Sequence, residues 1–263
     1  FRGALFGGYQ MKSLAVMLKK EWMENVRTYK VISILITCSI FGILGPLTAL
    51  MMPDIMAGIL PKKLQGAIPE PTYIDSYIQY FKNMNQLGLV ILVFLFSSTL
   101  TQEFSKGTLI NLVTKGLAKK VIILAKFIVI TLLWTVSYLL SVVIHFSYTL
   151  YYFSNEGSHK LMVYGATWFI GILFISLILF FSVLFRKTLG GLLGCLFMVV
   201  LCVVSGFFKI SKSYNPMLLI QKQGEILSGK FKVQDLMEPS ILVFLLIIMT
   251  LLLSMYIFEK SEV

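Results

Sequence analysis

Apolar residues in this chain come in six blocks, separated by polar stretches, and that blocking leaves few folds open. A helix needs about 20 consecutive apolar residues to cross the hydrocarbon core of a bilayer. The runs are of that order and show neither the period of a half-buried helix nor that of a strand. A water-soluble core does not explain them. Only 13% of the 263 residues are charged, where soluble domains carry about 25%. The mean hydropathy is +0.86. The sequence predicts an all-α integral membrane fold, a single transmembrane domain over residues 11–263 with six transmembrane helices. The expected spans are 31–52, 78–101, 121–153, 161–185, 189–208 and 241–257. Residues 1–10 precede a candidate start at Met11 and read as an expression scar or an extension; they lack a signal-peptide pattern.

The net charge of +11 does not point to nucleic acid. The lysines are scattered over the connections between spans, with no basic stripe interleaved with aromatics. Anchoring to anionic headgroups and setting of topology account for them. Six spans put the two ends of the chain on one side. Fourteen of the 23 Lys and Arg fall on that side, so the expectation is a multi-pass protein of the cell membrane with both termini cytoplasmic. Cys38, Cys195 and Cys202 lie inside apolar runs, are odd in number and form no CxxC, which fits helix packing rather than a disulfide or metal site.

Before the first span, residues 12–30 predict an amphipathic interfacial helix. Leu14, Met17, Leu18, Trp22 and Val26 share one face, and Lys19, Lys20, Glu24 and Arg27 lie elsewhere. Pro46 predicts a kink or frayed end in the first span. A Pro-rich polar segment and an aromatic stretch, Tyr73 to Phe81, lead into the second span, whose Asn83, Asn85 and Gln86 are expected to face protein or water. Between the fifth and sixth spans, Met217 to Leu227 has room for a short helix. No internal repeat of the kind found in many secondary transporters is evident.

The chemistry is sparse. All twelve carboxylates fall in connections or at span ends. His145 is the clear ionisable group at membrane depth and reads as a hydrogen-bonded packing residue. Lys126, near one end of the third span, is expected to snorkel. Ion-coupled pumps normally need intramembrane acids. There is no HExxH, GxSxG or GxxxxGK[ST], so the chain reads as a non-enzyme without cofactor or metal of its own. If ATP powers it, another chain binds the ATP.

The polar island 102–120, QEFSKGTLINLVTKGLAKK, is held between two spans and is strongly basic. Glu103, Gly107, Thr108 and Leu109, followed by Leu112, Val113 and Lys115 and then Lys126-Phe127, resemble a segment of the bacterial type-2 ABC exporter permeases. In that family an acid followed by Gly-Thr marks a cytoplasmic coupling helix after the second span. The amphipathic helix before the first span is similar to the family's connecting helix, and Asn83 to Gly88 is similar to one branch. Tyr214-Asn215-Pro216 sits where the family places short extracytoplasmic or re-entrant helices. The likeness runs along nearly the whole chain from Met11.

The residues suit such a role. Gly107 permits a tight turn. Thr108 can cap the helix that follows. Leu109, Leu112 and Val113 form a stripe that a partner groove can receive. Glu103 can pair with a partner cation or with the interfacial helix. The resemblance implies the permease subunit of an ATP-driven exporter. Its partners are a second permease chain, identical or paralogous, two copies of an ABC ATP-binding subunit that hold ATP and Mg, and membrane lipid. Weakly polar residues of the spans, Ser97, Ser98, Thr99, Ser141 and His145, are candidates for the pathway, which suits an amphipathic or lipid-like cargo such as a peptide or drug. A membrane sensor or scaffold, or a channel, is the alternative.

Overall fold

The computed structural model describes residues 2–59, 61, 69–114, 116–207, 214–231 and 233–261, with backbone alone for 2–12, 111, 112 and 233. Among these residues the protein is helical, without strands. Six helices among the described residues are long and apolar enough to cross a membrane. It is an all-α, multi-pass membrane protein.

Helix α1 (Arg2–Arg27) packs on the first turns of the bundle. It ends where Tyr29 takes a left-handed φ of 59°, and the first span α2 (Lys30–Ile59) begins at the next residue. A helix therefore stands where the interfacial one is expected, but it starts earlier, within the residues read as a scar or extension. α2 runs past both Pro46 and Pro53, so neither proline ends it. Proline is tolerated in membrane helices because neighbours re-satisfy the freed backbone groups.

The second span is continuous from Tyr73 to Ser105. It comprises α3 (Tyr73–Asn83), a π-helical turn (Met84–Gly88) and α4 (Leu89–Ser105). It starts five residues before the expected boundary. The Asp75 carboxylate accepts from the N–H and hydroxyl of Thr72 and fixes the first turn there. The short helix α5 (Thr108–Thr114) follows, then α6 (Lys119–Tyr152), α7 (Lys160–Phe185) and α8 (Thr188–Ser205). The expected helix at 217–227 is two short ones, α9 (Leu218–Gln221) and α10 (Gln223–Leu227), before a 3-10 turn (Val233–Leu236) and the last span, α11 (Met237–Lys260).

We call the side carrying α1, α5 and the end of α11 the near side. The far side carries α9 and α10. α7 is the central span. In its most apolar stretch 72% of residues are buried inside the protein, against 17% for α8. Small residues allow close helix approach in lipid. A Cβ on Gly42 would meet the Ser141 carbonyl at 2.8 Å, and one on Gly45 would meet Tyr80 at 2.7 Å, so α2 lies tight against α6 and α3. Gly171 and Gly194 likewise receive the rings of Trp134 and Phe181. At the near end a second apolar cluster joins Met17 of α1, Leu100 of α4, Leu109 of α5, Ile122 and Ile123 of α6, Val183 of α7 and Phe258 of α11.

Candidate functional site

α4 ends at Ser105 and the chain turns through Lys106 and Gly107 into α5. Gly107 adopts φ +64°, and a Cβ there would meet nothing within 4 Å. Its value is therefore the left-handed turn and not close approach of another backbone. Thr108 is the first residue of α5 instead of its cap. Its hydroxyl donates to the Glu103 carbonyl at 3.4 Å, tying the new helix back to the end of α4.

Leu109 is fully buried in the near-end cluster. The expected stripe is thus not what α5 presents outward. Leu109 anchors the helix to the bundle, Val113 is half-buried, and Thr108, Ile110 and Thr114 are exposed. The side chain of Leu112, and Lys115 altogether, lie outside the described residues.

Glu103 is 3% exposed and faces inward, toward α1 and α6. It pairs with Lys20 of α1 and, at 3.2 Å, with Lys126 of α6. Lys126 is fully buried. Its ammonium donates to both carboxylate oxygens of Glu21, each at 2.9 Å, and to the Thr99 carbonyl at 3.3 Å. Lys20 also holds Glu21 at 2.9 Å and Glu24 at 2.8 Å. The expectation that Lys126 snorkels is wrong: it points into the protein because two buried carboxylates neutralise it there. Nearby, Lys30 donates to the Thr99 hydroxyl at 2.9 Å and lies over the Phe96 ring.

This hub inverts part of the helical-wheel reading of α1. Met17, Glu21 and Asn25, at steps of four, are its buried face. Trp22 and Val26 are exposed, as are Lys19 and Arg27. An apolar criterion cannot find that face, because one of its buried members is a carboxylate answering a lysine more than 100 positions away.

Burial works to lower the pKa of Lys20, but Glu21 and Glu103 outweigh it and hold the ammonium above its usual value. Glu24 is lowered from 4.5: burial opposes ionisation, and the hydrogen bond from Lys20 with the charges of Lys126 and Lys30 overcomes it. The carboxylate oxygens of Glu21, Glu24 and Glu103 lie within 4.8 Å of one another, a spacing that can hold a metal ion. Here each carboxylate already has an ammonium of Lys20 or Lys126 as its counter-ion.

The five candidate pathway residues are not brought together. Thr99 belongs to the hub. Ser97 is buried in the seam of α4 with α7, where the Ser182 hydroxyl donates to its carbonyl at 3.4 Å, and Ser98 is half-buried. Ser141 and His145 lie in the far half of the bundle. His145 Nδ1 is 2.6 Å from the Tyr164 hydroxyl, and Nε2 is 3.3 Å from the hydroxyls of Ser76 and Thr149. The Tyr80 ring stacks on the imidazole and its hydroxyl donates to Ser141 at 3.2 Å. These are the surroundings of a packed, hydrogen-bonded histidine.

Of the two surroundings expected for Asn85, protein or water, it meets protein. It donates to Gln223 of α10 at 2.9 Å and accepts from Thr167 of α7 at 3.1 Å, pinning the far-side helices to the π-helical turn.

No family model matches the chain. It is similar to an uncharacterized transmembrane protein, YxlG, of Bacillus subtilis (strain 168), with 25% identity over 130 residues. That match takes in 49% of this chain, and the chain spans 50% of the length of the relative.

Proposed function

We propose that this protein is the membrane-spanning permease subunit of an ATP-driven ABC exporter, set in the cell membrane with its near side toward the cytoplasm. The observation that carries the reading is the construction of the near side. A short helix, α5, hangs between two spans. It is joined to the surface helix α1 through Glu103, Lys20, Glu21 and Lys126, so the two form one connected layer. Such a layer is what a separate ATPase needs to push against. Lys106, Thr108 and Ile110, exposed on it, are the groups offered to that partner.

The chain carries no phosphate-binding loop, so ATP and Mg belong to two copies of the partner subunit. ATP moves the permease only by favouring one of its arrangements over another. A second permease chain, identical or paralogous, completes the pathway between the two. The scarcity of charged groups in the spans suits an amphipathic or lipid-like cargo.

The test is purification of the chain from its native membrane. The expected result is co-purification of a subunit with a phosphate loop and vanadate-sensitive ATP hydrolysis. Cys introduced at Lys106 is expected to react with an impermeant maleimide only after the membrane is opened. A chain that purifies without an ATPase from gently solubilised membranes overturns the reading.

A further inference from the structure

Two buried polar clusters lie on one helix. Lys126 is near one end of α6, and Ser141, His145 and Thr149 are near the other, about five turns or about 28 Å away. Between them α6 is fastened to α7 level by level. Trp134 Nε1 donates to the Trp168 carbonyl at 3.0 Å, and Trp168 Nε1 donates back to the Thr135 hydroxyl at 3.0 Å. One level further, the Tyr138 hydroxyl donates to the Tyr164 carbonyl at 2.9 Å, and then His145 meets the Tyr164 hydroxyl. Gly171 lets the Trp134 ring lie directly on α7.

We infer that Lys126 is a positioning residue through which the near-side layer of α1, α4 and α5 sets the position of an α6–α7 pair that moves as one body to the far side. The reason is energetic. A buried ammonium that loses both its carboxylate partners is left uncompensated, so α6 must follow α1 and α4 rather than let the pairs open. Along the seam with α7, the buried Trp134 indole and Tyr138 phenol keep their acceptors for the same kind of reason. Displacement entering at the hub is therefore handed along α6 and α7 together and arrives at His145 and Ser76. This holds whatever partner drives the near side, and it goes beyond the exporter reading.

The chain has three tryptophans, and Trp22 is exposed on α1. In a Trp22→Phe background, Trp134 and Trp168 are native reporters of the seam. The experiment compares Lys126→Met, Lys126→Arg and Leu109→Ala in nanodiscs, by acrylamide quenching and by hydrogen exchange of peptides at both ends. Lys126→Met is expected to raise quenching and exchange several-fold in 141–152 and 160–168, as well as near the hub. Lys126→Arg, which keeps both carboxylates paired, is expected to restore both readouts. Leu109→Ala is expected to loosen the near end alone.

A purely structural Lys126 leaves the tryptophans and the far end as in wild type while the hub loosens, and that outcome overturns the inference. Coupling between sites is reciprocal. His145→Phe, read at residues 13–27, is therefore an independent arm should Lys126→Met fail to fold. Unchanged exchange there overturns the inference equally.

Discussion

The near-side hub and the far-side His145 network are both buried and polar, and both knit several helices together, yet they are built on opposite principles. The hub is ionic. Lys126 and Lys20 face Glu21, Glu24 and Glu103, drawn from α1, α4 and α6. The far network is made of hydroxyls and one imidazole stacked against Tyr80. A charge pair in low dielectric tolerates no loss of a partner, whereas a hydroxyl network can lose one bond and keep others. The near side is therefore the stiff joint. The far side is held by many weaker contacts, no one of which carries the whole network.

The largest effect is expected where that contrast is broken outright. Lys126→Met leaves Glu21 and Glu103 buried with only the partly exposed Lys20 to share, and should cost about 3–5 kcal/mol of stability. A much reduced midpoint in thermal unfolding, with α1 released first in limited proteolysis, is the expected readout. His145→Phe removes the bond to Tyr164 and the contacts to Ser76 and Thr149. Because Ser76 and Thr149 retain each other at 2.8 Å, its cost should be about 1–3 kcal/mol. Equal losses for the two variants in the same assay would erase the distinction between stiff and adaptable ends.

How these regions read from sequence follows the same division. Run length alone places six spans, because the requirement for about 20 apolar residues is a property of the bilayer and not of tertiary contacts. Span ends are less legible. α2 passes Pro46 and Pro53 because neighbouring helices supply what proline removes, and the Thr72–Asp75 pair starts the second span earlier than hydropathy does. Glu103 is singled out in the sequence by the family resemblance that its spacing to Gly107 and Thr108 carries, but its partners are not legible there. Lys20 lies 83 positions away and Lys126 belongs to another span.

One signal for the hub was available. On a side crowded with lysine, the described carboxylates Glu21, Glu24 and Glu103 needed counter-ions, and Lys126 sat inside an apolar run with none nearby in sequence. The spread of Ser97, Thr99, Ser141 and His145 over separate seams had no such signal, since each residue's facing depends on helix rotation in the assembled bundle.

Gly107→Ala sharpens the comparison at the turn that hangs α5 from α4. A methyl group there meets no neighbour, so the cost is backbone strain alone at φ +64°, about 1 kcal/mol. Thermal unfolding should fall slightly, and exchange in 106–114 should rise while the Trp134–Trp168 seam is unchanged.

The smallest effect concerns pH, and it separates an ionic joint from a neutral one. Glu24 has its folded pKa lowered below 4.5, so its contribution is present above 4.5 and is lost as pH falls through the lower folded value. Lys20 has its folded pKa raised above 10.5, so its contribution is complete below 10.5 and is lost as pH rises through the higher folded value. The hub's share, measured as the difference in unfolding midpoint between wild type and Lys20→Met, should therefore be flat between about pH 5 and about pH 10 and shrink on both sides. Lys20 is partly open to solvent, with 35% of its side chain exposed, so the plateau should be low and should fall further as salt is added. A plateau that slopes through neutral pH would mean that the pairs around Lys20 are opening and closing in the resting protein, and the near side would then be no stiffer than the far one.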